Sequence, residues 1–272
     1  MTAAAGPDGP VPTINGAVLD IETAPAADLV AAAGRQSAAG YGRPGLHKIV
    51  CASVLTYRQC WRSGAFSGVK LHTFTSERDP EASVLVGVDL TLPDPSDPHA
   101  RVITWNGVNH DMRMLRTRAT ALWMTRLRAL RGWTSNGCRD RHLDLMRAGG
   151  GGAGNWSRLR DACAGMGVSL HPGDETMTRA LAAGAWDRVA AHNRMDVLGT
   201  FLVHAVRDGF ERGCPVPAAT AWSEVAKLTR ATPRASRHEA ALSTHFLVGV
   251  AERQLSEHVG RDCGCGTVAL DG

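Results

Sequence analysis

Ala17-Val18-Leu19-Asp20-Ile21-Glu22-Thr23 is the stretch around which the chain is organised. An aliphatic and β-branched run of this kind reads as a buried strand. Side chains alternate along a strand, so Asp20 and Glu22 share one face and Ile21 takes the other. Two neighbouring carboxylates repel each other and are costly to bury unless a positive group lies between them. A divalent cation meets that need, because hard cations take oxygen ligands. A solvated strand end would carry the same doublet with no metal, so the rest of the chain has to decide.

Upstream, Met1 to Asn15 is rich in Ala, Gly and Pro and lacks a basic segment followed by an apolar core. It reads as a flexible leader, residues 1–15, and not as a signal peptide. Downstream comes a Pro-, Ala- and Gly-rich connection, residues 24–45, with a short helix expected around Ala26–Ala33. His47–Tyr57 and Val69–Phe74 read as two further strands of an antiparallel meander, joined through a glycine-containing turn. Glu81–Leu90 has helical spacing. Arg101–Trp105 is a short fourth strand, and one long amphipathic helix is expected from about His110 to Arg131. His142–Leu145 reads as a fifth strand, and the glycine run Gly149–Gly154 as a mobile loop. Helices follow around Ser157–Met166, Asp174–Ala183, Gly184–Asp208, Ala218–Lys227 and Arg237–His258. The pattern predicts an α/β fold with a mixed five-stranded sheet flanked by helices. Residues 16–212 form its main domain and residues 213–272 a helical extension and tail.

Composition narrows the function classes. In 272 residues no apolar run approaches the roughly 20 residues of a membrane span. Seven cysteines, an odd number without repeating spacing, fit a reducing, cytoplasmic setting better than a disulfide framework. The net charge of +4 is small, but Arg101, Arg113, Arg116, Arg118, Arg126, Arg128, Arg131, Arg139 and Arg141 crowd one segment whose acids are Asp111 and Asp140. Such a cluster suits a polyanion, or forms a solvated helix face. The glycine run lacks the Gly-Lys-Ser/Thr of a phosphate-binding loop. Cys263 and Cys265 could hold zinc with His258 or Cys214, but the spacing matches no standard finger.

Two more acidic sites complete the picture. In Trp105-Asn106-Gly107-Val108-Asn109-His110-Asp111 a strand ends, a turn follows, and a helix begins with Asp111 in its first turn. In His192-Asn193-Arg194-Met195-Asp196-Val197, His192 and Asp196 are four residues apart and share one helix face. Asp-x-Glu on the first strand, Asn-Gly-x-x-x-Asp at a strand-to-helix junction, and a ring-bearing residue before a late Asp resemble the DEDD superfamily of 3′–5′ exonucleases. The likeness is greatest to the tyrosine-type branch of polymerase-B-like predicted exonucleases, and it covers roughly Ala17 to Arg207. That branch's W-N-G-x-x-F-D-x-x-x-L is met by WNGVNHDMRML, and its Y-C-x-x-D-V-x-x-T by HNRMDVLGT. The sequence departs from the pattern at His110, in place of Phe, and at His192, in place of Tyr. The histidine branch keeps its His five residues before the Asp, where this chain has Ala191.

The resemblance implies a ribonuclease-H-like fold and two divalent ions, Mg²⁺ or Mn²⁺, about 3.5–4 Å apart. Their ligands would be Asp20, Glu22, Asp111 and Asp196, with Asp20 bridging both. One ion would lower the pKa of the attacking water, and the other would stabilise the leaving 3′ oxygen. His192 would serve as general base or orient the water. Thr23 would contact the 3′-terminal nucleotide of single-stranded DNA or RNA, Asn106 would shape the turn of its motif or touch the substrate, and nucleoside monophosphates would be released. Asp144 reads as a structural acid. A catalytically weak nucleic-acid-binding module and a ribonuclease-H-like endonuclease remain the alternatives.

Overall fold

A computed structural model describes residues 12–35, 44–148, 158–170, 177–232 and 235–259. The strands are β1 (Thr13–Pro25), β2 (His47–Cys60), β3 (Phe66–Thr75), β4 (Arg101–Thr104) and β5 (His142–Asp144). The helices are α1 (Ala27–Ala32), α2 (Glu81–Thr91), α3 (Asp111–Ala121), α4 (Arg128–Trp133), α5 (Leu145–Ala148) and α6 (Leu159–Gly165). They continue as α7 (Met177–Ala182), α8 (Trp186–Arg212), α9 (Val216–Ala231), α10 (Arg237–Ser243) and α11 (Phe246–Val259).

The strands form one sheet in the order β3-β2-β1-β4-β5. β1 to β3 are an antiparallel meander, whereas β1, β4 and β5 run parallel. This is the mixed, helix-flanked sheet expected from the sequence, and it is ribonuclease-H-like. β1 lies at its centre, apolar on both faces because helices cover both. Ala17, Leu19 and Ile21 face a layer made with α2, α3 and α4. Val18 faces the other layer, built on α8 and on α9 to α11. Alternation then points Asp20 and Glu22 toward the α8 side. The C-terminal helices belong to that core: Trp222, Val225, Leu242 and Val248 are buried together with Val18, Leu55 and Ile103. Arg194 on α8 adds a bidentate ion pair to buried Glu239 on α10, at 2.5 and 3.0 Å.

Several expectations are corrected. β1 begins at Thr13, inside the expected leader, because Thr13 to Asn15 pair with Arg58 to Cys60 of β2; residues 1–11 lie outside the described residues. The single helix expected over 110–131 is two helices. α3 stops at a Schellman-type end: Met124 N–H donates to Ala119 O and Trp123 N–H to Thr120 O. Trp123 takes the left-handed position with φ 55°. The helix expected over 237–258 also breaks, at Thr244–His245, where the His245 ring stacks on Trp222 at 4.9 Å and accepts a hydrogen bond from Leu247 N–H. The glycine run 149–154, Cys263 and Cys265 lie outside the described residues. Among the described residues no helix is long and apolar enough to cross a membrane.

Candidate active site

β1 pairs with β2 along its whole length but with β4 only from Gly16 to Val18. Beyond Val18 its β4 edge is open, and Asp20 and Glu22 sit on that stretch. The carboxyl ends of adjacent parallel strands are where open α/β sheets place ligand crevices. β4 supplies the next part of the wall. Asn106 turns the chain in the left-handed conformation, φ 67°, and Asp144 at the end of β5 clamps that turn. Its Oδ1 accepts from Asn106 N–H at 2.9 Å and its Oδ2 from Val108 N–H at 3.0 Å. Gly107 is required there, because a Cβ would lie 2.2 Å from Thr104 Oγ1. The clamped turn launches α3 with Asp111 in its first turn. Asp144 is thus the structural acid the sequence suggested.

Asp111 is buried, and its Oδ1 lies 2.9 Å from His110 Nδ1. Its Oδ2 is the buried side-chain oxygen or nitrogen that lacks a hydrogen-bond partner among the described residues. From the opposite side, α8 brings His192 and Asp196 over β1. His192 Nε2 is 3.8 Å from Glu22 Oε1 and 3.7 Å from Asp196 Oδ2. Ligand atoms of Glu22, His192 and Asp196 all fall within 4.8 Å of one another. Asn193, the next residue of α8, is fully buried. Its Nδ2 donates to Asp20 Oδ2 at 2.5 Å, and its Oδ1 accepts from Cys51 Sγ at 3.6 Å.

The acids perturb each other. Burial first, and then Asp111, Asp196 and Glu22, hold the Asp20 carboxyl well above the usual carboxylate range, against the Asn193 hydrogen bond. Glu22 is raised by burial and by Asp196 and Asp111. Asp111 is raised by burial, with Asp144 and Asp196 adding to it and His110 opposing. Burial also pushes the Cys51 thiol far up, which keeps it neutral beside Asn193.

The structure therefore brings Asp20, Glu22, Asp111, His192 and Asp196 around one crevice. Thr23 stands beside it, just past an irregularity in the β1–β2 register, and is partly exposed. Asn106 is on the rim, its Oδ1 accepting from Asn109 Nδ2 at 3.2 Å. Sequence reasoning missed Asn193. A polar residue spaced four from Val189 and Val197 on a buried helix face was the available signal for Asn193. Oxygen-rich donors, an orphaned buried carboxylate oxygen and mutually raised carboxyls fit divalent cations of the Mg²⁺ and Mn²⁺ type. The arginine cluster divides. Buried Arg118 is bound bidentately by half-buried Glu81 at 2.8 and 2.7 Å, and Arg128 pairs with Asp94 at 3.3 Å. Arg141 donates to the Asp97 and Pro95 carbonyls and lies 5.2 Å from the Trp133 ring centroid. Arg113, Arg116, Arg126 and Arg131 are exposed.

No family model matches the sequence, and no curated protein matches it. Among solved structures it is similar to the family B DNA polymerase of the hyperthermophilic archaeon Pyrobaculum calidifontis, with 18% identity and a TM-score of 0.42. That match covers 84% of this chain and 29% of the polymerase chain. A second likeness is to a chain in an ExoI/SSB-Ct complex, with 12% identity and a TM-score of 0.33, covering 71% of this chain and 44% of that one. The chain thus spans less than half the length of each of these solved chains.

Proposed function

We propose that this chain is a metal-dependent 3′–5′ exonuclease that hydrolyses phosphodiester bonds at the 3′ ends of single-stranded DNA or RNA. The observation that carries the reading is the buried, partnerless Asp111 Oδ2 beside three further acids at the open edge of β1. A buried anion of this kind is destabilising unless a cation completes it.

Asp20, Glu22, Asp111 and Asp196 would hold Mg²⁺ or Mn²⁺. Cations bound there would supply Lewis acidity at the phosphodiester and offset the charge that develops during in-line displacement. Asn193 fixes the Asp20 carboxylate by its hydrogen bond. Water attacks phosphorus, the bond from phosphorus to the leaving 3′ oxygen breaks, and a nucleoside 5′-monophosphate departs from a strand one residue shorter. His192, 3.8 and 3.7 Å from Glu22 and Asp196, accepts the proton of that water. Thr23 and Asn106 contact the terminal nucleotide. An imidazole suits proton transfer near neutral pH better than the tyrosine found there in the tyrosine-type branch.

The test uses 5′-labelled linear and internally labelled circular single strands of DNA and of RNA, with Mg²⁺, Mn²⁺ or EDTA. Linear strands should shorten stepwise with release of monophosphates, circles should resist, and EDTA or Asp20→Asn should stop turnover. His192→Ala should retain metal binding yet lose roughly 10²–10⁴-fold in rate. Cutting of circles would turn the assignment to an endonuclease. Strand binding without cleavage under either metal would leave a binding module.

A further inference from the structure

The break between α3 and α4 leaves a groove of about 800 Å³, a size typical of ligand sites. Buried Leu127 and Leu130 line it together with the exposed Arg116, Trp123 and Arg131. Among the described residues no acid lines it.

Trp123 carries two penalties at once. The residue is 88% exposed, leaving a large apolar ring in water. Its backbone is left-handed, φ 55°, at a helix end that ordinarily takes Gly or Asn. Neither penalty is offset by packing, and strain of this kind gathers where a ligand is met. The charge around it is equally uncompensated. Arg118, Arg128 and Arg141 from the same stretch are satisfied by Glu81, Asp94 and the Pro95 carbonyl. Arg116 and Arg131 are exposed and make no ion pair among the described residues.

We propose that this groove binds single-stranded nucleic acid, with a base stacked on Trp123 and phosphates held by Arg116 and Arg131. An open aromatic face next to mobile cations is how strands are bound without sequence preference. The choice of ligand rests on the strand-degrading function proposed above. Asp111 opens α3 and the groove lies at its other end, roughly 15 Å away along the axis. The groove therefore contributes affinity for a strand and takes no part in bond breaking.

Binding of labelled oligo(dT) and oligo(U) 20-mers, followed by fluorescence anisotropy in EDTA, tests this on the full chain. Trp123→Gly should weaken binding about 5- to 100-fold without lowering the melting temperature, since glycine suits the left-handed position. Arg116→Glu with Arg131→Glu should weaken binding and lower the salt slope by about 1–2. Unchanged affinity and salt slope in these variants would overturn the proposal. So would capture of an Asp- and Leu-rich decapeptide at Trp123 that the oligonucleotides fail to displace, which would mark a peptide site. The two readings fail separately. Strand binding that depends on Trp123, without cleavage under Mg²⁺ or Mn²⁺, removes the exonuclease and keeps the groove. Cleavage with unaltered affinity in the variants does the reverse.

Discussion

At the scale of single residues, the acids of the crevice set a pH signature for the metal-free protein. Burial and its neighbours raise Asp111 in the folded state, whereas the unfolded chain keeps the ordinary value. In acid the group is protonated in both states and costs nothing. As pH rises through the raised folded value, the unfolded chain has already ionised, and stability falls. Asp111→Asn removes that loss. In EDTA the variant should melt above the parent at pH 8, by about 2–4 °C for each kcal/mol relieved, and the gap should close toward pH 4. A gap that does not change with pH would mean that Asp111 is not under strain. Adding Mn²⁺ should reverse the order, because the parent gains more from binding. Asp20, Glu22, Asp111 and Asp196 were grouped in the sequence by the resemblance of their three motifs, taken in order, to an exonuclease pattern, since each run alone reads equally well as a solvated strand end or a helix cap. Asn193 was not, because its partner Asp20 is 173 residues away, and no local pattern encodes that contact.

At the scale of elements, regular segments were legible and their breaks were not. β1 and β2 follow from their aliphatic and β-branched runs, β5 from a short apolar stretch, and α8 from its long periodic run closed by Gly213 in the left-handed conformation. The end of α3 has no Gly or Pro to announce it. There the chain pairs backbone groups across the helix end and accepts a tryptophan in an unfavourable conformation. Trp123→Gly should therefore raise the melting temperature, by roughly 1 kcal/mol of stability. A drop would show that the exposed ring is held by packing. The turn before α3 shows the opposite case, legible in Asn106-Gly107 and required by Thr104 beneath it.

At the scale of the whole molecule, the three helices after Gly213 behave as part of the core. Tyr57, Phe66 and Phe201 form an aromatic cluster with ring centroids 5.0 to 5.5 Å apart, in the same apolar core as Ala219, Trp222 and Val225. Phe66 N–H donates to Thr220 Oγ1 at 2.9 Å, and the Arg194–Glu239 pair ties α8 to α10. A chain ending at Arg212 would open that face to water. It should lose its cooperative thermal transition by circular dichroism, and a sharp melt close to that of the full chain would show that residues 13–212 suffice. The sequence marks a pause at Cys214–Pro217, but a pause in the chain need not be a gap between cores, and only the packing distinguishes the two.

The raised carboxyls of the crevice also make the protein a proton store. Asp20, Glu22 and Asp111 hold on to protons longer than free acids do, and a cation can coordinate only their ionised oxygens. If the proposed cations load the crevice, hydrogen ions should leave as metal enters. A weakly buffered sample should acidify on titration, and the heat of binding should vary with the ionisation enthalpy of the buffer. On that proposal, availability of metal and acidity of the medium would act on this site as one variable.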